Sequence, residues 1–242
     1  MVIPARFASE RLPGKPLAEI AGKPMIAHVV ERCRRARGID ELVVATDDPR
    51  IRAALAPTGV RVEMTSPEHP SGTDRVAEVA RKLEVDALIN VQGDEPLIEP
   101  AAVEEIAACL RTGVPMVTLC RPALEGEDLS NPSLVKVVLD AKGHALYFSR
   151  EPIPHYRGGR PPNTLSFVHV GLYGYQRDFL FRLAALPVGR LERAERLEQL
   201  RALEHGHPIR VLPTPYVSVS VDTAEDLARV RALVEAGDRV VH

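Results

Sequence analysis

The chain has no tryptophan, 4% aromatic residues and three cysteines, Cys33, Cys109 and Cys120. An odd count at wide spacing, with no Cys-x-x-Cys pair, excludes a disulfide framework and a structural zinc site. Thiols packed in the core of a protein from a reducing compartment are the reading that remains. No apolar run reaches the roughly 18 residues that cross a bilayer. Arg6, Glu10 and Arg11 interrupt any apolar stretch of a signal peptide. The expected location is therefore the cytoplasm. Excess charge is also missing: the formal net charge is −2. The overall balance thus gives no reason to expect nucleic acid or an anionic membrane as partner. Any anion site has to be a local cluster of cations.

What is present is ordinary globular material, 242 residues with 45% hydrophobic and 26% charged, enough for one domain with a substantial core. Short apolar runs alternate with amphipathic helical patterns. Residues 1–4, 41–46, 60–64, 86–92 and 116–120 read as strands, and 24–36, 51–56, 73–83 and 101–110 as helices. This alternation predicts an α/β fold, a parallel sheet with helices on both faces. Such sheets place ligands beyond the carboxyl ends of their strands. Residues 5–15, Asp47-Asp48 and Gly93-Asp94-Glu95 occupy those positions. The second half predicts a hairpin of 134–140 with 144–149 and a Pro- and Gly-rich loop over 151–162. Next come a strand over 167–175, a strongly charged helix over 191–204 and strands over 209–212 and 217–221. Asp222-Thr223 then caps a helix over 224–236. Residues 125–205 read as an inserted lobe within a single domain of 1–242.

Three segments carry chemistry. In IPARFASERLPGKP, the cations Arg6, Arg11 and Lys15 follow a strand end within ten residues. Such a loop can wrap a polyphosphate with cationic side chains and backbone N–H groups, and Gly14 is expected to let the chain approach phosphate closely. It is not a Walker loop, because Pro16 stands where Ser or Thr is required, and Gly-x-Gly-x-x-Gly is absent. In NVQGDEP, an apolar strand delivers Asp94 and Glu95 to the same edge, with Gly93 expected to clear space for a ligand. A carboxylate facing a triphosphate acts through Mg²⁺, since the bare anions repel. In VDT, Asp222 is equally readable as a helix cap or as a second metal carboxylate.

Other polar groups fit more than one role. His69, Ser71, Thr73, Asp74 and Arg75 open a helix, which favours anions but is also ordinary capping sequence. His169 and Tyr173 sit four apart on a strand and share a face, where a histidine is more commonly a satisfied core residue. Glu198 and Gln199 lie on the charged helix, where solvated surface is the default.

IPARFASERLPGKPL, VATDD, HPSGTDR, NVQGDEP, NPSLVKVVLD, ALYFSR, HVGLYGYQ, LEQLRALEHG and VDTAEDL together resemble the 3-deoxy-manno-octulosonate (Kdo) cytidylyltransferase family, collinearly over nearly the whole chain. The resemblance implies a Rossmann-like nucleotidyltransferase of the glycosyltransferase-A type. Such a protein has a mostly parallel mixed sheet, a small sugar-binding and dimerisation lobe, and is a homodimer. It implies the reaction of CTP with Kdo to give CMP-Kdo and pyrophosphate, which activates the sugar for bacterial lipopolysaccharide. By the same resemblance Arg6 and Lys15 hold the triphosphate with Arg11 in support. Ala5, Ser9, His69, Ser71 and Gln92 line the nucleotide pocket, and Asp94 and Asp222 hold Mg²⁺. Arg150, His169, Tyr173, Glu198 and Gln199 take the sugar, His169 as a positioning group and not a general base. Glu10 stands where Ser or Thr is usual in the family, and the loop 155–166 is short. The same chemistry on another acidic sugar, sialic acid or 8-amino-Kdo, is the alternative acceptor assignment.

Overall fold

The computed structural model describes residues 1–8, 12–69, 71–158, 166–217 and 219–237. Ser9, Glu10, Arg11 and residues 159–165 of the short loop lie outside that set. The first half contains β1 (Val2–Ala5), the small hairpin β2 (Glu19–Ile20) and β3 (Lys23–Pro24), and α1 (Met25–Cys33). It continues with β4 (Val43–Thr46), α2 (Pro49–Leu55), β5 (Arg61–Met64), α3 (Gly72–Ala80), β6 (Ala87–Asn90) and α4 (Pro100–Leu110). The second half contains β7 (Met116–Pro122), β8 (Lys136–Leu139), β9 (Ala145–Ser149), β10 (Phe167–Gln176) and α5 (Arg177–Ala185). It ends with α6 (Arg190–Glu195), α7 (Leu200–Glu204), β11 (Arg210–Pro213) and α8 (Ala224–Glu235).

The sheet order is β11-β7-β10-β6-β1-β4-β5. β1 pairs in parallel with β4 and β6, and β4 with β5. β10 is antiparallel to both β6 and β7. The sheet is thus mixed, and one strand of the 125–205 stretch lies in its middle. The hairpin β8–β9 of the same stretch pairs with β10 through β8.

Alternation along the strands explains the layering. Val2, Val43 and Ala45 face α3 and α5, where Val76, Val79, Phe179, Leu180 and Leu183 complete one core. Ile3, Ala5 and Val44 face α1, α2 and α4, with Ile26, Val30, Ile51, Leu55, Val103 and Ile106 in the second. A third, smaller cluster joins Ile20 and Met25 to Leu97, Val221, Leu227 and Val230. It docks α8 beside the first hairpin and fixes where Asp222 falls. The three cysteines carry no disulfide, and burial pushes the thiols of Cys33 and Cys120 up to about 12.

Three expectations are corrected. The charged stretch 191–204 is two short helices, α6 and α7, broken where Arg196 adopts φ 53. The break lets Leu197 and Gln199 turn inward while Glu198 stays exposed, and part of the charged stretch is buried: Glu192 and Arg201 are buried and paired at 2.6 Å. Residues 217 and 219–221 form no strand. Val221 instead donates one backbone hydrogen bond to the Asp94 carbonyl at 2.9 Å, and its side chain fills the third cluster. The helix α5 has no counterpart in the predicted elements, although Phe179, Leu180 and Leu183 give it a buried stripe.

Candidate active site

The carboxyl ends of β1, β4 and β6 open on one edge of the sheet. At that edge a cavity of about 410 Å³ is lined by Ala5, Arg6, Lys15, His69, Ser71, Arg75, Gln92, Asp94, Glu198 and Asp222. Every described residue expected in the nucleotide pocket is among them. Lys15 sits at the start of a single 3₁₀ turn, Lys15–Leu17, entered through Gly14 at φ 69. That left-handed φ is the reason for glycine there, and a Cβ would meet the Phe7 ring at 3.1 Å. Gly14 therefore shapes the loop that carries Lys15. The Lys15 ammonium donates to Asp94 Oδ2 at 2.6 Å and to Asp222 Oδ1 at 3.1 Å.

The two carboxylates converge because their backbones are tied together by the Val221–Asp94 hydrogen bond. Asp222 is not the cap of α8. Thr223 Oγ1 accepts from the Asp226 N–H at 3.2 Å, while the Asp226 carboxylate accepts from the Asp222 and Thr223 N–H groups. This capping box leaves the Asp222 side chain to the site. Gly93 lines the cavity, and packing also calls for glycine there. A Cβ there would stand 2.7 Å from the Pro4 carbonyl, so glycine lets the turn before Asp94 seat against β1.

The loop at the end of β1 is held from behind. Asp47 Oδ1 accepts from the Phe7 N–H at 3.3 Å, and Asp47 Oδ2 from the buried Arg75 Nη2 at 3.0 Å. The Arg50 guanidinium lies 3.5 Å over the Phe7 ring. Ser71 caps α3, its Oγ accepting from the Asp74 N–H at 3.2 Å, and lines the cavity as well. His69 Nε2–H donates to Glu78 Oε2 at 2.5 Å. Burial alone would raise the Glu78 carboxyl, but the bonds from the Ser66 N–H and His69 bring it below its ordinary value.

A second cavity of about 360 Å³ adjoins the first and shares Gly72, Gln92 and Glu198 with it. Arg150, His169, Tyr173, Glu198 and Gln199, the residues expected to take the sugar, all line it. A bulge in the β10–β7 register after Val170 does not separate His169 from Tyr173. Their ring centroids are 5.4 Å apart. His169 Nε2 lies 2.9 Å from Thr118 Oγ1, whose proton has a carbonyl acceptor in Leu172 O at 2.8 Å. Nε2 therefore carries the imidazole proton and donates to the hydroxyl. Burial pushes the imidazole down to about 3 and the Tyr173 phenol up. Glu198 accepts from Thr73 Oγ1 at 2.7 Å, and burial raises its carboxyl.

Arg150 differs from a freely offered cation. Its Nε donates to the Glu195 carbonyl at 2.7 Å and Nη1 to the Pro132 carbonyl at 2.8 Å. Tyr175, Arg196 and Arg201, none of them among the residues expected there, also line this cavity. Tyr175 carried a signal, because it shares the strand face of Tyr173 at spacing two, and the two rings stack at 6.0 Å. Arg196 and Arg201 carried none, since only the helix break brings them to the cavity wall.

The arrangement is a cation and two carboxylates at a strand edge, beside a chamber of hydroxyl-, amide- and imidazole-bearing groups. The family model of cytidylyltransferases matches residues 1–209. A 3-deoxy-manno-octulosonate cytidylyltransferase of Anaeromyxobacter sp. (strain Fw109-5) is 56% identical over 99% of this chain and 98% of its own length. The chain belongs to the Kdo cytidylyltransferase family. Another member, from Geobacter sulfurreducens, is 52% identical to it over 95% of this chain and 96% of its own length. A solved structure of CMP:2-keto-3-deoxy-manno-octonic acid synthetase complexed with CTP matches it with a TM-score of 0.90 at 46% identity, covering 97% of each chain. The mixed α/β fold of this Kdo cytidylyltransferase family member is that of the relative.

Proposed function

We propose that this chain transfers CMP from CTP to the anomeric hydroxyl of Kdo, releasing pyrophosphate. The observation that carries the reading is the pair of adjoining cavities that meet at Gln92 and Glu198. One holds the cation and carboxylates suited to a triphosphate, and the other holds the groups suited to a polyhydroxy acid.

Asp94 and Asp222 fit Mg²⁺. Among the described residues no third acidic, histidine or cysteine side chain completes a protein-only cage. Mg²⁺ characteristically takes one or two carboxylates together with substrate phosphates and water. When bound it would neutralise phosphoryl charge and acidify a coordinated hydroxyl. Lys15 and Arg6 stabilise the charge that builds on the transferring phosphoryl group and on departing pyrophosphate. Gln92 and Glu198, which line both cavities, would face the junction of α-phosphate and acceptor. His169, held neutral by burial and oriented by Thr118, places the sugar and takes no proton.

A cytoplasmic homodimer is part of the same proposal, as the family resemblance implies, and among the described residues no helix is long and apolar enough to cross a membrane. The test is the product formed from CTP, Mg²⁺ and a mixture of Kdo, 8-amino-Kdo and N-acetylneuraminate. CMP-Kdo is expected as the dominant product, and preference for either competitor would contradict the acceptor assignment.

A further inference from the structure

Lys136 is fully buried, and nothing in the transfer reaction calls for it. Desolvating an ammonium is costly unless every N–H finds an acceptor. Here three carbonyls meet that demand: Leu134 O at 2.6 Å, Asn131 O at 3.3 Å and, closest of all, Arg150 O. Burial lowers the amine below its ordinary value, and Glu151 and Glu195 oppose that shift while Arg150 adds to it.

The place of these acceptors matters more than their number. Lys136 opens β8, where it pairs with Val168 on one side and Ser149 on the other. It is therefore registered one residue away from both His169 and Arg150. The His169 N–H donates to the Val135 carbonyl at 2.8 Å. The Arg150 N–H donates to Glu195 Oε2 at 2.9 Å, and the Arg150 guanidinium reaches the carbonyls of Pro132 and Glu195. Segments 131–135, 149–150 and 195–196 are thus knitted together by two cations donating to main-chain oxygens. The last of them leads into Glu198 and Gln199. None of the three carbonyls taken by Lys136 belongs to a residue that lines the triphosphate cavity.

We propose that Lys136 is a positioning residue of the sugar half of the site, setting where Arg150 and His169 stand without touching the substrate. This rests on the function proposed above. A misplacement of about 1 Å in a group that orients a substrate can cost on the order of a hundredfold, and here it falls on one substrate only. Methionine at 136 would keep the apolar stem and remove all three donors.

The test is steady-state kinetics of Lys136→Met with each substrate varied in turn. The acceptor is whichever acidic sugar the wild-type enzyme uses best, so that an error in the acceptor assignment shows in the wild type and leaves this comparison intact. KM for the acid sugar is expected to rise about tenfold or more while KM for CTP stays within about twofold. If Lys136→Met does not accumulate as folded protein, Lys136→Gln, which keeps two N–H donors, is measured, with a smaller rise in the sugar KM expected. Equal movement of both KM values, or movement of neither, overturns the proposal.

Discussion

At Lys15 one ammonium faces two carboxylates, Asp94 at 2.6 Å and Asp222 at 3.1 Å. Removing it by Lys15→Ala takes away the donor proposed to meet the reaction's developing charge. The specificity constant for CTP should fall by about 10²–10³-fold, on the scale of losing one preorganised electrostatic donor. A loss under about tenfold would contradict its role. His169 makes a different kind of prediction. Its folded-state value of about 3 lies below the unfolded value of about 6.5. The unfolded chain therefore binds the extra proton between those limits. Stability should drop as pH falls from about 6.5 towards 3. The variant His169→Gln should lose part of that slope in urea titrations run across the range. An acid limb with a midpoint between 5 and 8 that disappears in His169→Gln would show instead that the imidazole titrates during catalysis.

At the scale of elements, the sheet edge decides the site, and two glycines set how tightly its elements close. On β10, a Cβ at Gly174 would stand 2.6 Å from Ile106 Cγ2 and 2.8 Å from Leu110 Cδ1 of α4. Gly174→Ala should destabilise by about 1–3 kcal/mol through overpacking, read as a fall in Tm of about 2–4 °C per kcal/mol, with the active enzyme's KM values unchanged. Gly93→Ala meets the Pro4 main chain instead, so it should reduce kcat while shifting Tm less than its activity loss would suggest. Most of these elements were legible because buried strands and helix stripes repeat at periods of 2 and 3.6. Lys15 and Asp94 were legible because both follow apolar strands at ligand-bearing ends. The break at Arg196 was not, since a left-handed arginine leaves no trace in hydrophobic period. Nor was the isolated Val221 bond to Asp94, because the alternation Val219–Val221 reads as a strand whichever neighbour it meets. Chemistry alone left Asp222 divided between cap and metal ligand. The Thr223–Asp226 capping box removes the cap role from Asp222, and sequence does not reveal which residue accepts the cap bond.

For the whole molecule, one mixed sheet carries two cavities on one edge, and α8 closes back across the first hairpin to bring Asp222 to Asp94. The homodimer proposed for it should elute with a light-scattering mass twice the 26.5 kDa chain, and a single-chain mass at working concentration would contradict that assembly. The central claim is that the adjoining chamber accepts Kdo while the strand edge holds CTP. Mass spectrometry of the products from CTP, Mg²⁺ and an equimolar mixture of Kdo, 8-amino-Kdo and N-acetylneuraminate tests it most directly. CMP-Kdo with stoichiometric pyrophosphate is the expected product. A product dominated by another acidic sugar, or none from CTP, would contradict it.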